Sequence, residues 1–353
     1  MTSLVMTVSE TLRYRGKLGQ WAWVLHRVAG FGTLVFVIMH VIDTSWATFY
    51  PDLYAKAIAA YKTPLFTVGE FILVACVVYH ALNGFRIAVI DWRPRWWRHQ
   101  AMAARLVLFG TVILLIPVFI LMFAHVLNYY NVRLPAEGAA GFDIGLEKVV
   151  EAVEPFVVGT VIVFAAAFVV SAASAFIPGF GFGAAVRKRW KRSNLDRFMW
   201  GFMRISGVLI IPLVFGHLGM MHLIQGVFDI TNPAHVPVGT VFGPNEQNLV
   251  SAALAGNFAA NFVALRWNTV VAGVFIWRVY DIALLVLIVI HGMWGARYLV
   301  NDYFGRGVVN RAFKLAILGT AIGLLIVGSV AILNTIPQTA ENMMNTTSQA
   351  VDR

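Results

Sequence analysis

The stretch DIALLVLIVIHGMWGARYLVND (residues 281–302) has the length and the apolar character of a helix that crosses a membrane. Such a helix needs roughly 20 predominantly apolar residues to span the hydrocarbon core. This segment nevertheless carries a histidine, an arginine and two aspartates, the kinds of side chain that a bilayer penalises most. We therefore expect these ionisable residues to serve a function.

The composition of the whole chain is that of a membrane protein. Of its 353 residues, 59% are hydrophobic and only 12% are charged, and the mean hydropathy is +0.75. Soluble domains are far less apolar than this. The sequence therefore predicts an all-α fold, a polytopic bundle of transmembrane helices. The predicted spans are 24–49, 65–90, 102–128, 156–180, 202–228, 269–300 and 312–336.

The charged loops predict how the bundle lies in the membrane. Loops 91–100 and 187–192 are strongly basic, whereas segment 129–155 contains five acidic residues. By the positive-inside rule, the N-terminus and the basic loops face the cytoplasm and the C-terminus lies outside. We expect a multi-pass protein of a prokaryotic inner membrane. The net charge of +10 is then a signal of topology, and no nucleic-acid partner is expected.

Residues 79–91, YHALNGFRIAVID, repeat the polar pattern of the opening segment. Both segments contain His-x3-Gly-x-Arg-x4-Asp, and in both an acidic residue precedes the histidine by ten positions. The matching residues are Glu70, His80, Gly84, Arg86 and Asp91 in one segment, and Asp281, His291, Gly295, Arg297 and Asp302 in the other. The pattern indicates an internal duplication.

A second pair of predicted helices repeats in the same way. RVAG at 27–30 is followed by His40, and RISG at 204–207 is followed by His217, in each case ten residues after the glycine. The duplication therefore predicts two three-helix units with a joining segment between them. The first unit is 1–128, the joining segment with its extra span 156–180 is 129–196, and the second unit is 197–353.

The four histidines of the duplicated patterns predict haem binding. One intramembrane histidine is more often a packing residue, but four at matching positions on four helices indicate a shared ligand. Imidazole is an axial ligand for haem iron, and helix bundles often bind cofactors between their helices. The helical rise places the two histidine pairs at depths about 10 Å apart. We predict an inner haem between His80 and His291 and an outer haem between His40 and His217.

Small and basic residues beside the histidines fit this prediction. Gly84 and Gly295 lie four residues after a histidine, on the same helix face, where the missing side chain leaves room for a flat macrocycle. Arg86 and Arg297 could bind propionates or a quinone, or could anchor their helices at the interface. The arginines that open the other two histidine helices are stronger candidates for ligand binding.

The remaining polar residues in the spans have simpler interpretations. The duplicated acids Glu70 and Asp281 could pair with neighbouring groups or handle protons for an outer quinone site, and we prefer the structural role. His222 follows His217 by five residues and lies off its helix face, so we interpret it as a packing residue or second-choice ligand. His125 is a weaker candidate near the outer end of the third span.

With these residues placed, the chain resembles the two membrane-anchor subunits of succinate dehydrogenase (respiratory complex II) joined into one polypeptide. HRVAG (26–30) with YHALNGFRIAVID resembles the larger anchor, and RISG with IHGMWGARYLVNDYF (290–304) resembles the smaller one. The resemblance implies a cytochrome b with haem b, a quinone-reducing site on the cytoplasmic side, and docking to a flavoprotein and an iron–sulfur subunit. It also implies that succinate is oxidised on those partners.

The resemblance also assigns roles to single residues. His80 and His291 match the family's haem ligands, and His40 and His217 match the second pair of its two-haem members. Three further residues fall at positions near the propionates and the quinone, namely His26, Arg27 and Arg204. Asp302 and Tyr303 match an Asp-Tyr pair that lines the quinone pocket. Trp23 stands where some members carry a serine, and two-haem members often use menaquinone, which we expect here.

Three alternatives remain open from the sequence. A fumarate reductase anchor, or the dihaem quinol-oxidising cytochrome of another dehydrogenase, would keep the same histidines. A seven-helix transporter would use them as proton-relay groups. The chain has one cysteine, Cys76, and no dinucleotide fingerprint, so flavin and iron–sulfur clusters are expected on partner subunits. The whole complex could also form a homo-oligomer.

Overall fold

The computed structural model describes residues 17–133, 194–224, 226–228, 259–305 and 307–335, with a few isolated positions between 135 and 169. Nearly all of the described chain is helical. The α-helices are α1 (Leu18–Phe49), α2 (Pro51–Tyr61), α3 (Pro64–Trp92), α4 (Gln100–Asn128), α5 (Asn194–Leu218), α6 (Ala259–Trp267), α7 (Ile276–Tyr303) and α8 (Val308–Asn334).

In the described part of the chain, six helices are long and apolar enough to cross a membrane, namely α1, α3, α4, α5, α7 and α8. They confirm the prediction of an all-α transmembrane bundle and correspond to six of the seven predicted spans. The predicted span 156–180 lies outside the continuously described residues, so the count of seven stays a prediction. Of the joining segment 129–196, the structure describes the π-helical turn Tyr129–Arg133, a few isolated positions, and residues 194–196 at the start of α5, so the rest of this segment stays a prediction.

The predicted span 269–300 begins too early. Residues Val270–Val271 (β1) and Val274–Phe275 (β2) form a short antiparallel hairpin, and α7 begins only at Ile276. The turn has positive φ at both central residues, 51° at Ala272 and 79° at Gly273, as a two-residue hairpin turn requires. Hydropathy does not distinguish this apolar hairpin from the first turn of a helix.

The predicted span 202–228 is wrong at both ends. Helix α5 begins at Asn194 and its α-helical part ends at Leu218, where a π-helical turn, Gly219–Leu223, continues the chain. Two short helices, α2 and α6, were not predicted because a hydropathy pattern detects only long spans. Proline at the first position of α2 fits the start of a helix, where no backbone donor is needed.

Four helices surround the centre of the bundle. Helix α1 packs on α3, α3 on α5, α5 on α7, and α7 on α1. The third helix of each predicted unit lies outside this ring, because α4 packs mainly on α3 and α8 mainly on α7. Leu106, Phe109 and Ile120 of α4 are more than half exposed, as expected of side chains that face lipid. The ring of four helices positions the polar residues described next.

Candidate functional site

A cavity of about 470 Å³ lies between the four central helices. Its wall is mainly apolar, and five of its polar residues come from the duplicated patterns, namely Arg27, His80, Arg204, His291 and Asp302. His26, Thr33 and Tyr298 add further polar groups to the wall. A largely apolar cavity with a few converging polar groups is the usual form of a cofactor site.

His80 and His291 face each other across this cavity. Their ring centres are 6.5 Å apart and the ring planes are nearly perpendicular, at 88°. His80 Nδ1 lies 3.1 Å from the backbone oxygen of His26, and His291 Nδ1 lies 2.9 Å from the hydroxyl oxygen of Ser206. Because a carbonyl oxygen only accepts, His80 Nδ1 must donate, which leaves its Nε2 lone pair available.

This arrangement fits a metal ion held between two imidazoles. If each metal–nitrogen bond is roughly 2 Å long and the two imidazoles bind opposite sides of the ion, their nitrogens are roughly 4 Å apart. The ring centres are then somewhat more than roughly 6 Å apart. The separation of the two rings meets this requirement. Histidine ligands usually donate their other ring N–H to a carbonyl, carboxylate or similar acceptor, as His80 does here. The residues around the cavity therefore fit a haem with two histidine ligands.

Two glycines make room for the histidine rings. A Cβ atom on Gly30 would lie 2.6 Å from His80 Cε1, and one on Gly207 would lie 3.3 Å from His291 Cε1. The first contact is impossible without displacement of the ring. Gly84 and Gly295 also line the cavity, but a Cβ on either would make only ordinary contacts, 3.5 Å and 3.9 Å from the nearest atoms. Among these four glycines, the strictest need for glycine is at Gly30.

Ion pairs connect the two halves of the chain at the end of the bundle where α1 and α5 begin and α3 and α7 end, which we call the inner end after the predicted orientation. Arg27 of α1 pairs with Asp302 of α7, and Arg204 of α5 pairs with Asp91 of α3 through a 2.9 Å bond from Nε. The arginine that opens the histidine helix of each predicted unit therefore binds the aspartate of the other unit. The duplicated patterns did not predict this exchange of partners.

A tryptophan covers each of these arginines. Trp23 lies 3.8 Å from the Arg27 guanidinium carbon, and Trp200 lies 3.6 Å from that of Arg204, both measured to the ring centre. Each tryptophan precedes its arginine by four residues, so the pair shares one helix face. The contact at Trp200 was missed in the sequence, although the common Trp-x3-Arg spacing was a signal that could have found it.

Arg86 and Arg297 lie outside the lining of the cavity. Arg86 donates a long bond, 3.4 Å, to the backbone oxygen of Gln100. Arg297 lies 3.5 Å from an oxygen of Asp196 and 4.1 Å from the ring centre of Trp294. These surroundings favour the anchoring interpretation of both arginines.

Tyr303 lies near Arg27, whereas His26 packs against a haem-ligand candidate. The ring centre of Tyr303 is 5.9 Å from the Arg27 guanidinium carbon, and the residue is 45% exposed. The His26 ring instead stacks on His80, with centres 4.0 Å apart and planes within 5°. Trp23, Arg27, Asp302 and Tyr303 thus form one cluster at the inner end, which we call the inner mouth.

Three histidines meet near the other end of the bundle. The rings of His40 and His217 have centres 5.8 Å apart, and His222 lies 5.7 Å from each of them. One nitrogen of each ring lies within 4.8 Å of the others. The expectation that His222 lies off the helix face of His217 is wrong, while its role as a packing residue or second-choice ligand stays a prediction. The π-helical turn at Gly219–Leu223 has more residues per turn than an α-helix, which brings His222 to the side of His217.

The duplicated acids bind two of these histidines. Glu70 Oε1 lies 2.8 Å from His222 Nδ1, and Asp281 Oδ1 lies 3.5 Å from His217 Nδ1. Asp281 also accepts a 2.8 Å bond from the indole of Trp267. These contacts agree with a structural role for both acids, in which they orient imidazoles.

The outer cluster has polar atoms with unused bonding capacity. Within the described residues, the buried atoms His217 Nδ1 and Asp281 Oδ1 face each other at 3.5 Å, which is longer than an ordinary hydrogen bond, and neither has another partner. Three converging imidazoles fit a group that histidine binds. His125 lies elsewhere, beside Gly226, and His99 accepts a bond from Arg98 in the loop after α3.

Comparisons with known proteins point to one family. Residues 7–119 match the family described as Succinate dehydrogenase/Fumarate reductase transmembrane subunit. The chain is also similar to Succinate dehydrogenase 2 membrane subunit SdhC of Mycobacterium tuberculosis (strain ATCC 25618 / H37Rv). The two are 33% identical over 136 residues, which are 37% of this chain and 100% of the relative. No solved structure matches the chain.

Proposed function

Because the chain belongs to the family of succinate dehydrogenase/fumarate reductase transmembrane subunits, we propose that it is a dihaem cytochrome b anchor that passes electrons to membrane quinone. Its partners are then a flavoprotein, on which succinate is oxidised, and an iron–sulfur subunit. The observation that carries the proposal is the pair His80 and His291, which face each other across a cavity between four helices.

The histidines would hold two haem b groups at two depths. His80 and His291 would bind the inner haem through Nε2, since Nδ1 of each ring is engaged by a neighbouring oxygen. His40 and His217 would bind the outer haem. A bound haem supplies an iron that accepts and releases one electron reversibly. The protein contributes by fixing the rings and by excluding water from the cavity.

The paired arginines would bind the haem propionates. Arg27 and Arg204 both line the cavity, and each carries a tryptophan on one face that restricts where its guanidinium can go. Asp302 and Asp91 compensate their charges at the inner end. A guanidinium can bind a carboxylate in bidentate fashion, so these two residues suit a propionate better than lysine would.

We place the quinone site at the inner mouth. The Tyr303 hydroxyl is a donor for a quinone oxygen, and Arg27 and Asp302 lie beside it. Trp23 occupies the position of a serine in some family members, and here it packs on Arg27. An aromatic ring, and not a hydroxyl, therefore positions Arg27. We expect menaquinone as the acceptor, because two-haem members of the family often use it.

The two three-helix units are proposed to be fused anchors. The family match covers residues 7–119 and therefore the first unit, 1–128. The second unit, 197–353, repeats its polar pattern, and the arginines and aspartates of the two units exchange partners. This exchange is what a pseudo-twofold arrangement of two like units would give.

The iron–sulfur partner would dock at the inner end. The turn Pro94–His99 between α3 and α4 exposes Trp96 and Trp97 beside basic residues. Tryptophan and arginine are enriched at the centres of protein interfaces. An iron–sulfur cluster at this end would lie on the same side as the cavity and the inner mouth.

Reduction by succinate tests the proposal. The complex is purified gently, and succinate is added under anaerobic conditions while the b-type absorbance is recorded. We expect the partner subunits to copurify, haem to be reduced, and added menaquinone analogue to reoxidise it. A colourless preparation, or haem that dithionite reduces but succinate does not, would contradict the proposed function.

A further inference from the structure

The outer end of the bundle contains a deeply buried arginine. Arg266 belongs to α6, a helix whose nine residues are all buried, and it is only 1% exposed. Its Nε lies 3.5 Å from Asp281 Oδ2, and its guanidinium carbon lies 4.1 Å from the ring centre of Trp277. Its two terminal nitrogens make no hydrogen bond within the described chain.

Such a guanidinium is costly to bury. A buried donor without a partner destabilises the fold, and more so if it is charged. Asp281 compensates the charge, but it lies near Nε only, and it also binds Trp267 and faces His217. Both terminal nitrogens of Arg266 remain as a fork of donors. This fork has the geometry that binds two oxygens of a carboxylate.

A neighbouring arginine shows what a purely structural role looks like here. Arg278 donates from Nε to the backbone oxygen of Trp267 at 2.9 Å. Its terminal nitrogens donate to the backbone oxygen of Leu333 and to Asn268 Oδ1. Every nitrogen of Arg278 thus has a partner, and the residue ties the end of α6 to the end of α8. Arg266 differs because its terminal nitrogens have no hydrogen-bond partner among the residues that the structure describes.

Arg266 is connected to the histidine cluster through one residue. Asp281 lies 3.5 Å from Arg266 on one oxygen and 3.5 Å from His217 on the other. Arg266 is therefore linked through Asp281 to His217. We propose that Arg266 binds a propionate carboxylate of the outer haem. This inference rests on the proposed binding of that haem by His40 and His217.

The test uses the purified complex with wild-type chain, Arg266→Gln, Arg266→Lys and the control Arg278→Gln. Haem is counted, redox titration gives the midpoint potential of each haem, and infrared difference spectra are recorded with haem labelled with ¹³C at the propionates. Arg266→Gln should lower the potential of the outer haem or release it, because a positive charge favours the reduced state. Arg278→Gln should leave both haems unchanged.

The lysine variant separates direct binding from a distant charge. Arg266→Lys keeps the charge but loses the fork, so the labelled propionate band should shift although the potential changes little. This variant also carries the test if Arg266→Gln does not assemble. An unchanged propionate band in the folded variants would overturn the inference. Loss of a bound anionic phospholipid from Arg266→Gln, with an unchanged band, would also overturn it, because Arg266 would then bind a lipid and not the haem.

Failure of the inference differs from failure of the proposed function. If the wild-type complex holds a single haem that His80→Ala removes, the outer haem does not exist and both ideas fail. If the wild-type complex holds two haems and the Arg266 variants keep a wild-type band, only the role of Arg266 is wrong.

Discussion

Arg27 and Arg204 illustrate how single residues make a charged site acceptable inside an apolar bundle. Each is compensated by an aspartate from the other half of the chain and covered by a tryptophan from its own helix. An arginine in this setting has little freedom to move, so less entropy is lost when it binds a ligand. Preorganised cations of this kind suit carboxylates and quinone oxygens.

Replacement of Tyr303 by phenylalanine tests the quinone site. We expect Tyr303→Phe to lower the rate of succinate–quinone reduction by about tenfold or more, because one hydrogen bond to the quinone oxygen is lost. The haem spectrum should stay unchanged, since Tyr303 lies outside the cavity lining. Tyr50→Phe, an exposed tyrosine at the outer end, is the control. Unchanged quinone kinetics would remove Tyr303 from the site.

The pair Arg204–Asp91 should stabilise the bundle. Both side chains are about one-fifth exposed, and Arg204→Ala leaves the aspartate partly buried without its partner. We expect a loss of about 2 kcal/mol in the free energy of unfolding, measured by denaturant titration in detergent. The double variant Arg204→Asp with Asp91→Arg should recover part of the loss. Arg86→Ala is the control, and an equal effect there would contradict the assigned role.

Helices α1 and α3 are in close contact where Gly30 meets the ring of His80. Because a Cβ on Gly30 would overlap the His80 ring, Gly30→Ala should displace the ring and cost about 1–3 kcal/mol. The inner haem should be lost or bound weakly, while the outer haem is retained. Haem content per chain measures the effect, and Gly69→Ala, whose Cβ would contact nothing, is the control. A full complement of haem in Gly30→Ala would contradict this packing.

The long helices could be predicted because a membrane span has a clear sequence signal. Six described helices match predicted spans. The duplicated positions also bring the rings of His80 and His291, and those of His40 and His217, close together, while their pairing as haem ligands stays a prediction. Short elements could not be predicted in this way. Helix α6 and the hairpin at 270–275 owe their shape to tertiary packing and to two positive φ angles, which hydropathy does not report.

The outer site was predicted less well for a specific reason. The place of His222 depends on the π-helical turn after Leu218, and a sequence read at 3.6 residues per turn puts this histidine on the wrong side. Arg266 lies in a segment with no counterpart in the first unit, so the duplication gave no information about it. Contacts of this kind become visible only when the helices are packed together.

The molecule as a whole presents a basic, aromatic surface at its inner end. Arg95 and Arg98 lie on the exposed turn with Trp96 and Trp97. Charge reversal, Arg95→Glu with Arg98→Glu, should reduce copurification of the iron–sulfur subunit, most strongly at low salt concentration, because salt screens exposed charges. Lys56→Glu, on the exposed face of α2 at the opposite end, is the control. Undiminished copurification would place the docking surface elsewhere.

The central claim is that paired histidines hold two haems across the bundle. The most direct measurement is the number of haem b groups per chain in the purified complex, with wild-type chain, His80→Ala, His291→Ala and the control His125→Ala. The account predicts two haems in the wild-type and control chains, and one in each of the other two variants. Zero or one haem in the wild-type chain, or two haems in assembled His80→Ala, would contradict it.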